Sequence, residues 1–324
     1  MPITAVKKNP EELTLEVVAD FPVPVERLWD AYADPRQLER FWGPVEWPAT
    51  FTRHDMFPGG RSEYVMTGPN GETSAGYWDF VSVDRHKSFE VIDGFANADG
   101  TPNHDFPRIR VVFRFEPTDN GSRLITTSYF SSADELQQLL EMGMEEGMRS
   151  AMSQIDDVVA DLASFAAGIA TQAQILNDTQ VRTSRIVRGT VDQVWRAHTE
   201  ADLVKRWMTG PDGWTMPVAD IATEPGETYR YEWENEETGD RFGFTGELLE
   251  AQPPYRMVTT EGMIGMEGPP AINDLTFRPV EGGTLVTIVI TYPSTEVRDM
   301  VLATGMVDGM ETSYARLEEQ VLAA

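Results

Sequence analysis

The chain repeats itself. Leu28-Trp29-Asp30-Ala31, followed by Leu38 and Phe41-Trp42-Gly43-Pro44, returns as Val194-Trp195-Arg196-Ala197, followed by Val204 and Trp207-Met208-Thr209-Gly210. Gly143-Met144-Glu145-Glu146-Gly147-Met148 returns as Gly305-Met306-Val307-Asp308-Gly309-Met310. Trp29 and Trp195 stand 166 residues apart, Gly143 and Gly305 162 apart. Nearly equal shifts at opposite ends of a unit mean a tandem duplication. The repeat is far longer than the roughly 20–50 residues of a solenoid unit. Two domains are expected, over 1–165 and 179–324, with 166–178 as linker. At 324 residues in all, each copy is large enough to hold its own core.

Composition narrows the functional classes. There are no cysteines, so disulfides, thiolate metal sites and cysteine nucleophiles are excluded. The N-terminal stretch MPITAVKKNPEEL has no apolar core and does not read as a signal peptide. No apolar run approaches the roughly 18 residues of a membrane span, and a cytoplasmic, non-membrane protein is expected. The net charge is −27, with acidic residues in both copies. Such a surface repels phosphate backbones and anionic lipid, so no nucleic-acid partner is expected.

Each copy begins with an extended stretch in which Leu13, Leu15 and Val17 alternate with polar neighbours, matched by Val181–Val187. Val25, Leu28, Trp29 and Tyr32 follow at helical spacing. Asp34-Pro35 then ends that helix and caps a second one; in copy two Thr199 is the expected cap, with Asp202 as its partner. Turn signals such as Pro58-Gly59-Gly60, Asn120-Gly121, Pro225-Gly226 and Gly282-Gly283 punctuate Val-, Ile- and aromatic-rich runs, the pattern of an antiparallel meander of five or six strands. A long helix closes each unit. In copy one a Ser132-Ala133-Asp134-Glu135 capping box precedes an apolar stripe of Leu136, Leu140, Met144, Met148, Met152, Ile155, Val159 and Leu162. In copy two the stripe is Val297, Val301, Leu302, Met306, Met310, Leu317 and Val321. Ser164–Asp178 reads as a semi-rigid connector that extends the first long helix. The fold class is α+β: two tandem units, each a curved antiparallel sheet wrapped around a long C-terminal helix, with two short helices closing one edge.

The Val/Leu-Trp-x-Ala segment, the Asp-Pro or Thr-Glu step and the aromatic-Trp pair together resemble the START-like, or SRPBCC, helix-grip superfamily. Within it the chain is similar to the family of the heat-shock protein ninety ATPase activator. Pro58-Gly59-Gly60-Arg61, Pro225-Gly226-Glu227-Thr228 and Gly246–Met257 look like that family's hairpin and strand-turn-strand signatures. The resemblance implies a helix-grip fold. It allows lipid carriers, cyclases, dehydratase-like enzymes and co-chaperone domains. Met148 and Met310 stand where the family usually has Trp, which alters the shape of any cavity.

A curved sheet on a long helix commonly encloses a space. The residues expected to line it are Trp42, Trp78, Phe113, Met144 and Met148 in copy one, and Trp207, Met208, Trp233, Met306 and Met310 in copy two. The alternative for the methionines is ordinary core packing. Gly143, Gly147, Gly305 and Gly309 recur inside helices, which suggests a close approach of backbone to the sheet or a neighbour. Arg61, Arg110, Arg114 and Arg278 sit on strands where either the cavity or water is within reach. No histidine among His54, His86, His104 and His198 recurs at a matched position or has zinc-ligand spacing. No catalytic residue, metal ligand or cofactor is assigned. The expected function is binding of a small apolar molecule between sheet and long helix. The alternatives are a cyclase- or dehydratase-type enzyme on an apolar substrate, or a co-chaperone-like interaction module. The segments Asp93–Pro107 and Glu261–Pro270 are expected at the cavity entrances, and the duplication allows one copy to bind while the other packs shut.

Overall fold

The computed structural model describes residues 3–97, 99–167, 170–210 and 213–322. They divide into two compact units, Met1–Ala167 and Gly168–Ala324. The first contains β1 (Ile3–Asn9), β2 (Thr14–Phe21), α1 (Val25–Ala33), α2 (Pro35–Leu38), β3 (Ala49–His54), β4 (Arg61–Thr67), β5 (Thr73–Asp84), β6 (Ser88–Ala96), β7 (Ile109–Thr118), β8 (Gly121–Tyr129), α3 (Ala133–Glu141) and α4 (Met144–Ala167). The second contains β9 (Gln172–Ile175), β10 (Gln180–Val187), α5 (Val191–Thr199), α6 (Ala201–Trp207), β11 (Trp214–Asp220), β12 (Thr228–Asn235), β13 (Arg241–Gln252), β14 (Arg256–Met263), β15 (Ala271–Val280), β16 (Gly283–Thr291), α7 (Thr295–Leu302) and α8 (Met306–Leu317), and ends in a π-helical turn, Glu318–Leu322.

Each unit has one eight-stranded sheet, ordered β1-β2-β8-β7-β6-β5-β4-β3 in the first and β11-β12-β13-β14-β15-β16-β10-β9 in the second. Neighbouring strands are antiparallel, and the first strand of the repeat closes onto the last: β2 on β8, β10 on β16. Bulges between Phe51 and Arg53 and between Phe80 and Ser82 bend the first sheet; the one between Leu248 and Glu250 falls at the same place in the second. Inward residues of the first sheet meet Met152, Ile155, Val158 and Val159 of α4 in one continuous core. Leu162 of the expected stripe lies outside the residues whose side chains are described.

The local signals have visible causes. The Asp34 carboxylate accepts the Arg36 amide at 2.9 Å, and Pro35 occupies the first helical position. Ser132 Oγ accepts the Glu135 amide at 3.1 Å, as the capping box requires.

Some expectations need correction. Thr199 does not cap α6. It is the last residue of α5, and its hydroxyl donates to the Trp195 carbonyl at 2.9 Å, so Glu200 takes the cap position without a side-chain bond. Among the described residues the connector is helical to Ala167. Gln172–Ile175 of the expected linker instead forms an edge strand against β10, where pairing overrides the alanine preference; Gly168 lies outside the described residues. The extra edge strand β1, charged and half-exposed, was also not anticipated.

The long closing helix is broken in both units. Gly143, at φ 86°, separates α3 from α4, and Gly305, at φ 80°, separates α7 from α8. These glycines recur because a left-handed residue is needed there, not because backbone approaches anything: a Cβ on either would meet no atom within 4 Å. Gly143→Ala and Gly305→Ala are each expected to cost about 1–2 kcal/mol from backbone strain alone. An unchanged urea midpoint would contradict this.

Candidate ligand cavity

The inner face of the first sheet is laid out in rungs. Trp78 on β5 pairs with Asp93 on β6; Phe80 pairs with Val91, Val91 with Val111 on β7, and Val111 with Ser128 on β8; Phe89 pairs with Phe113, and Phe113 with Thr126. Side chains at alternate strand positions share a face, so Trp78, Val91, Asp93, Val111, Phe113, Thr126 and Ser128 point the same way. Over them lies the first half of α4. Between the two is a cavity of about 220 Å³.

Trp42, Trp78, Phe113, Met144 and Met148 all line it, as do Tyr32, Phe41, Tyr64, Met66, Gly147 and Met152. Trp42 stands edge-on to Trp78 at 4.5 Å between ring centroids and to Tyr64 at 6.0 Å. Trp78 and Phe113 are 1% and 3% exposed, whereas Trp42, Met144 and Met148 are half-buried and open onto the space. A Cβ on Gly147 would meet no atom within 4 Å. This second recurring glycine therefore widens the cavity rather than admitting backbone.

The wall carries a few polar groups. Thr126 Oγ1, Ser128 Oγ and Trp78 Nε1 are buried without a hydrogen-bond partner among the described residues. Asp93 is the one carboxyl of the lining. Burial pushes its pKa up to about 7, against a smaller opposing pull from the Gly94 amide and the Trp78 indole N–H. That indole approaches too loosely to make a hydrogen bond of normal geometry. The cationic candidates lie elsewhere. Arg61 pairs with Glu63 and Asp79, Arg110 with Glu90, and Arg114 with Glu16, while buried Arg278 donates to the carbonyls of Tyr255 and Phe277. His54 is a structural bridge, with Nδ1 2.8 Å from Ser62 Oγ and Nε2 2.9 Å from the Tyr32 carbonyl.

In the second unit the five expected lining residues are dispersed over separate clusters. Trp207, with Met310 beside it, stacks on Tyr314 at 5.6 Å and donates to the Ala197 carbonyl at 2.8 Å. Trp233 stacks on Phe242 at 5.0 Å and donates to the carbonyl of Met208, which touches both groups. Met306 packs near Val181 and Ile290, with the Tyr292 hydroxyl 3.6 Å from its sulfur. By repeat position, Tyr314 replaces cavity-lining Met152, and His198 replaces Tyr32. Burial among Trp207, Phe277 and Tyr314 pushes the His198 imidazole down to about 4, leaving it neutral, with Nδ1 bonded to the Val194 carbonyl.

The model of the family described as "Activator of Hsp90 ATPase homolog 1-like protein" matches residues 22–160 and again 188–321. The chain belongs to this family. Each matched span falls within one of the two units, starting just after β2 or β10, so the chain carries the family's domain twice, as its internal repeat and its family resemblance led one to expect. Among solved structures, protein Ms6760 from Mycobacterium smegmatis is 49% identical over 48% of this chain and 96% of its own, with a TM-score of 0.46. A protein from Arthrobacter aurescens is 42% identical over 49% of this chain and 92% of its own, with a TM-score of 0.47. An AHSA1-like protein from Aeromonas hydrophila is 17% identical over 44% of this chain and 94% of its own, with a TM-score of 0.38. No curated protein matches. No helix among the described residues of this activator-like chain is long and apolar enough to cross a membrane.

Asp93 is the lining residue that sequence reasoning missed. It was assigned to an entrance loop, but it lies inside β6, and the rest of the described stretch to Pro107 is not part of the cavity wall. Glu261, expected to open the matching loop, likewise lies within β14. Two signals were available. Phe89, Val91 and Asp93 alternate on one face, so a carboxyl occupies an apolar position. Asp93-Gly94 also returns as Glu261-Gly262.

Proposed function

We propose that the first copy binds a small apolar molecule in the cavity beneath α4. The observation that carries this reading is the open volume of about 220 Å³ walled by aromatic rings and methionines. A dry apolar cavity of roughly 150 Å³ can hold benzene, so this one suits a guest of one or two fused rings. Met66, Met144, Met148 and Met152 make the wall adaptable, since an unbranched thioether reshapes at little cost. The second copy is the scaffold of the pair in this reading. What supports that is Tyr314, stacked on Trp207 where copy one has Met152 and open space.

Gly147→Leu tests the reading. Its side chain enters space that no atom occupies, so the fold should tolerate it. Expected is loss of naphthalene uptake by at least about tenfold, with thermal stability equal or higher, because filling a void restores packing contacts. Gly309→Leu, on the matching turn of α8, should leave uptake unchanged. Undiminished uptake in Gly147→Leu would sink the proposal.

A further inference from the structure

The cavity wall holds more hydrogen-bonding capacity than an apolar guest would use. Asp93, Trp78 Nε1, Thr126 Oγ1 and Ser128 Oγ all border the same space, and the last three have no partner among the described residues. Leaving such groups unsatisfied in an apolar setting is unfavourable, so a guest that bonds them binds more tightly.

The second copy keeps the same pairing by different means. Glu261 stands at the position of Asp93, and the Tyr229 hydroxyl, which donates to the Thr260 carbonyl at 2.9 Å, lies 3.5 Å from its Oε2. Trp78 pairs across the sheet with Ser62, and their counterparts Gly246 and Tyr229 also pair. The large aromatic has moved to the other strand of the pair. Gly246 is then obligatory, since a Cβ there would lie 1.8 Å from the Thr260 carbonyl oxygen and 2.9 Å from the Tyr229 ring. An inward acid beside the polar end of a large aromatic has thus survived a change of both residue type and strand.

We infer that the first cavity recognises an apolar molecule bearing one uncharged oxygen acceptor, a carbonyl or hydroxyl, and that Asp93 and the Trp78 indole N–H hold that oxygen. This rests on the reading of the cavity as a binding site. An indole N–H can only donate, so it requires an acceptor. With its proton retained, the Asp93 carboxyl donates as well, while Thr126 and Ser128 stand by to take or give a second bond. No cationic side chain lines the space, so an anionic guest would meet no counter-charge.

The test titrates the full chain with three guests on one carbon frame: tetralin, α-tetralone and α-aminotetralin. Binding is followed by the Trp78 indole N–H resonance, identified by its loss in Trp78→Phe. α-Tetralone is expected to bind at least about tenfold more tightly than tetralin, the scale of one satisfied buried hydrogen bond, and to shift that resonance. In Asp93→Leu the preference should vanish while tetralin still binds. Wild-type titrations at about pH 5 and about pH 9 read the same group without substitution, and the ketone preference should fall at the higher pH. Equal binding of tetralin and α-tetralone, or a preference that persists in Asp93→Leu, overturns the polar assignment and leaves apolar uptake standing. Tightest binding of α-aminotetralin overturns the uncharged acceptor in favour of a cationic guest. Failure of all three guests overturns both this assignment and the proposed function.

Discussion

Between about pH 4 and about pH 8 the first copy is expected to lose roughly 4 kcal/mol of stability through one carboxyl, and Asp93→Leu is expected to remove that loss. Asp93 is half-buried in the cavity wall with Trp78, Tyr64 and Phe113 beneath α4, with no ion-pair partner in the lining. Its pKa rises from 3.8 to about 7 in the fold because burial disfavours the anion. At ~1.4 kcal/mol for each tenfold change in acidity, that is about 4 kcal/mol. The folded state then binds the proton more tightly than the unfolded chain, so this contribution is fully present below about pH 3.8 and is lost as pH climbs through about 7. The other titratable groups of the lining, the phenols of Tyr32 and Tyr64, are pushed up by burial and stay neutral throughout. Amide exchange in β5, β6 and β7, compared between wild type and Asp93→Leu across this range, reads the effect locally. Parallel pH profiles for the two proteins would refute it.

Arg185→Leu is the substitution expected to damage the second copy most, by about 3–5 kcal/mol. Arg185 lies on β10 and is 3% exposed. Its guanidinium reaches Glu311 at 3.0 and 3.1 Å and Glu318 at 3.1 Å, tying α8 and the terminal π-helical turn to the sheet. The Glu318 side chain is itself only 9% exposed, so removing the arginine takes one of its two cations from a buried carboxylate and leaves the exposed Arg188 at 3.2 Å. Arg185 holds the Glu311 carboxyl down at about 2, with help from the Thr171 amide and hydroxyl. A depressed carboxyl contributes above its ordinary value near 4.5 and loses that contribution as pH falls toward 2. The variant should therefore lose both stability and the steep acid limb of its unfolding profile in urea. A loss below about 1 kcal/mol would show the network to be dispensable. Asp93 and Glu311 should thus act in opposite directions, the first weakening its copy toward base and the second toward acid, while Glu261, raised by burial, acts in the same direction as Asp93.

Much of this was legible before any coordinates. The duplication, the Asp34-Pro35 cap, the Ser132 capping box and the meander follow from local chemistry that acts within a few residues. The broken helix did not, because helical spacing continues across Gly143 while a single residue turns left-handed. The edge strands β1 and β9 were hidden for a related reason: their pairing is set by neighbours in space, and neither the exposed β9 nor the mixed β1 shows an apolar alternation. Of the candidate site, Trp42, Trp78, Phe113, Met144 and Met148 were recognised by type and spacing. Asp93 was hidden among 53 acidic residues, because only its place on an inward strand position sets it apart. The dispersal of Trp207, Trp233 and Met306 was equally invisible, since each packs into a different cluster set by neighbours distant in sequence.

The exchange of bulk between Ser62–Trp78 and Tyr229–Gly246 bears on how such a pair of domains can diverge. Neither position can cross from one copy's residue to the other's alone. Tryptophan at Gly246 strikes main chain, and glycine at Trp78 leaves a hole where the cavity wall stood. Inheritance must therefore move these strand neighbours together. Chimaeras spliced between β4 and β5, or between β12 and β13, should fail, whereas those that keep each hairpin whole should survive.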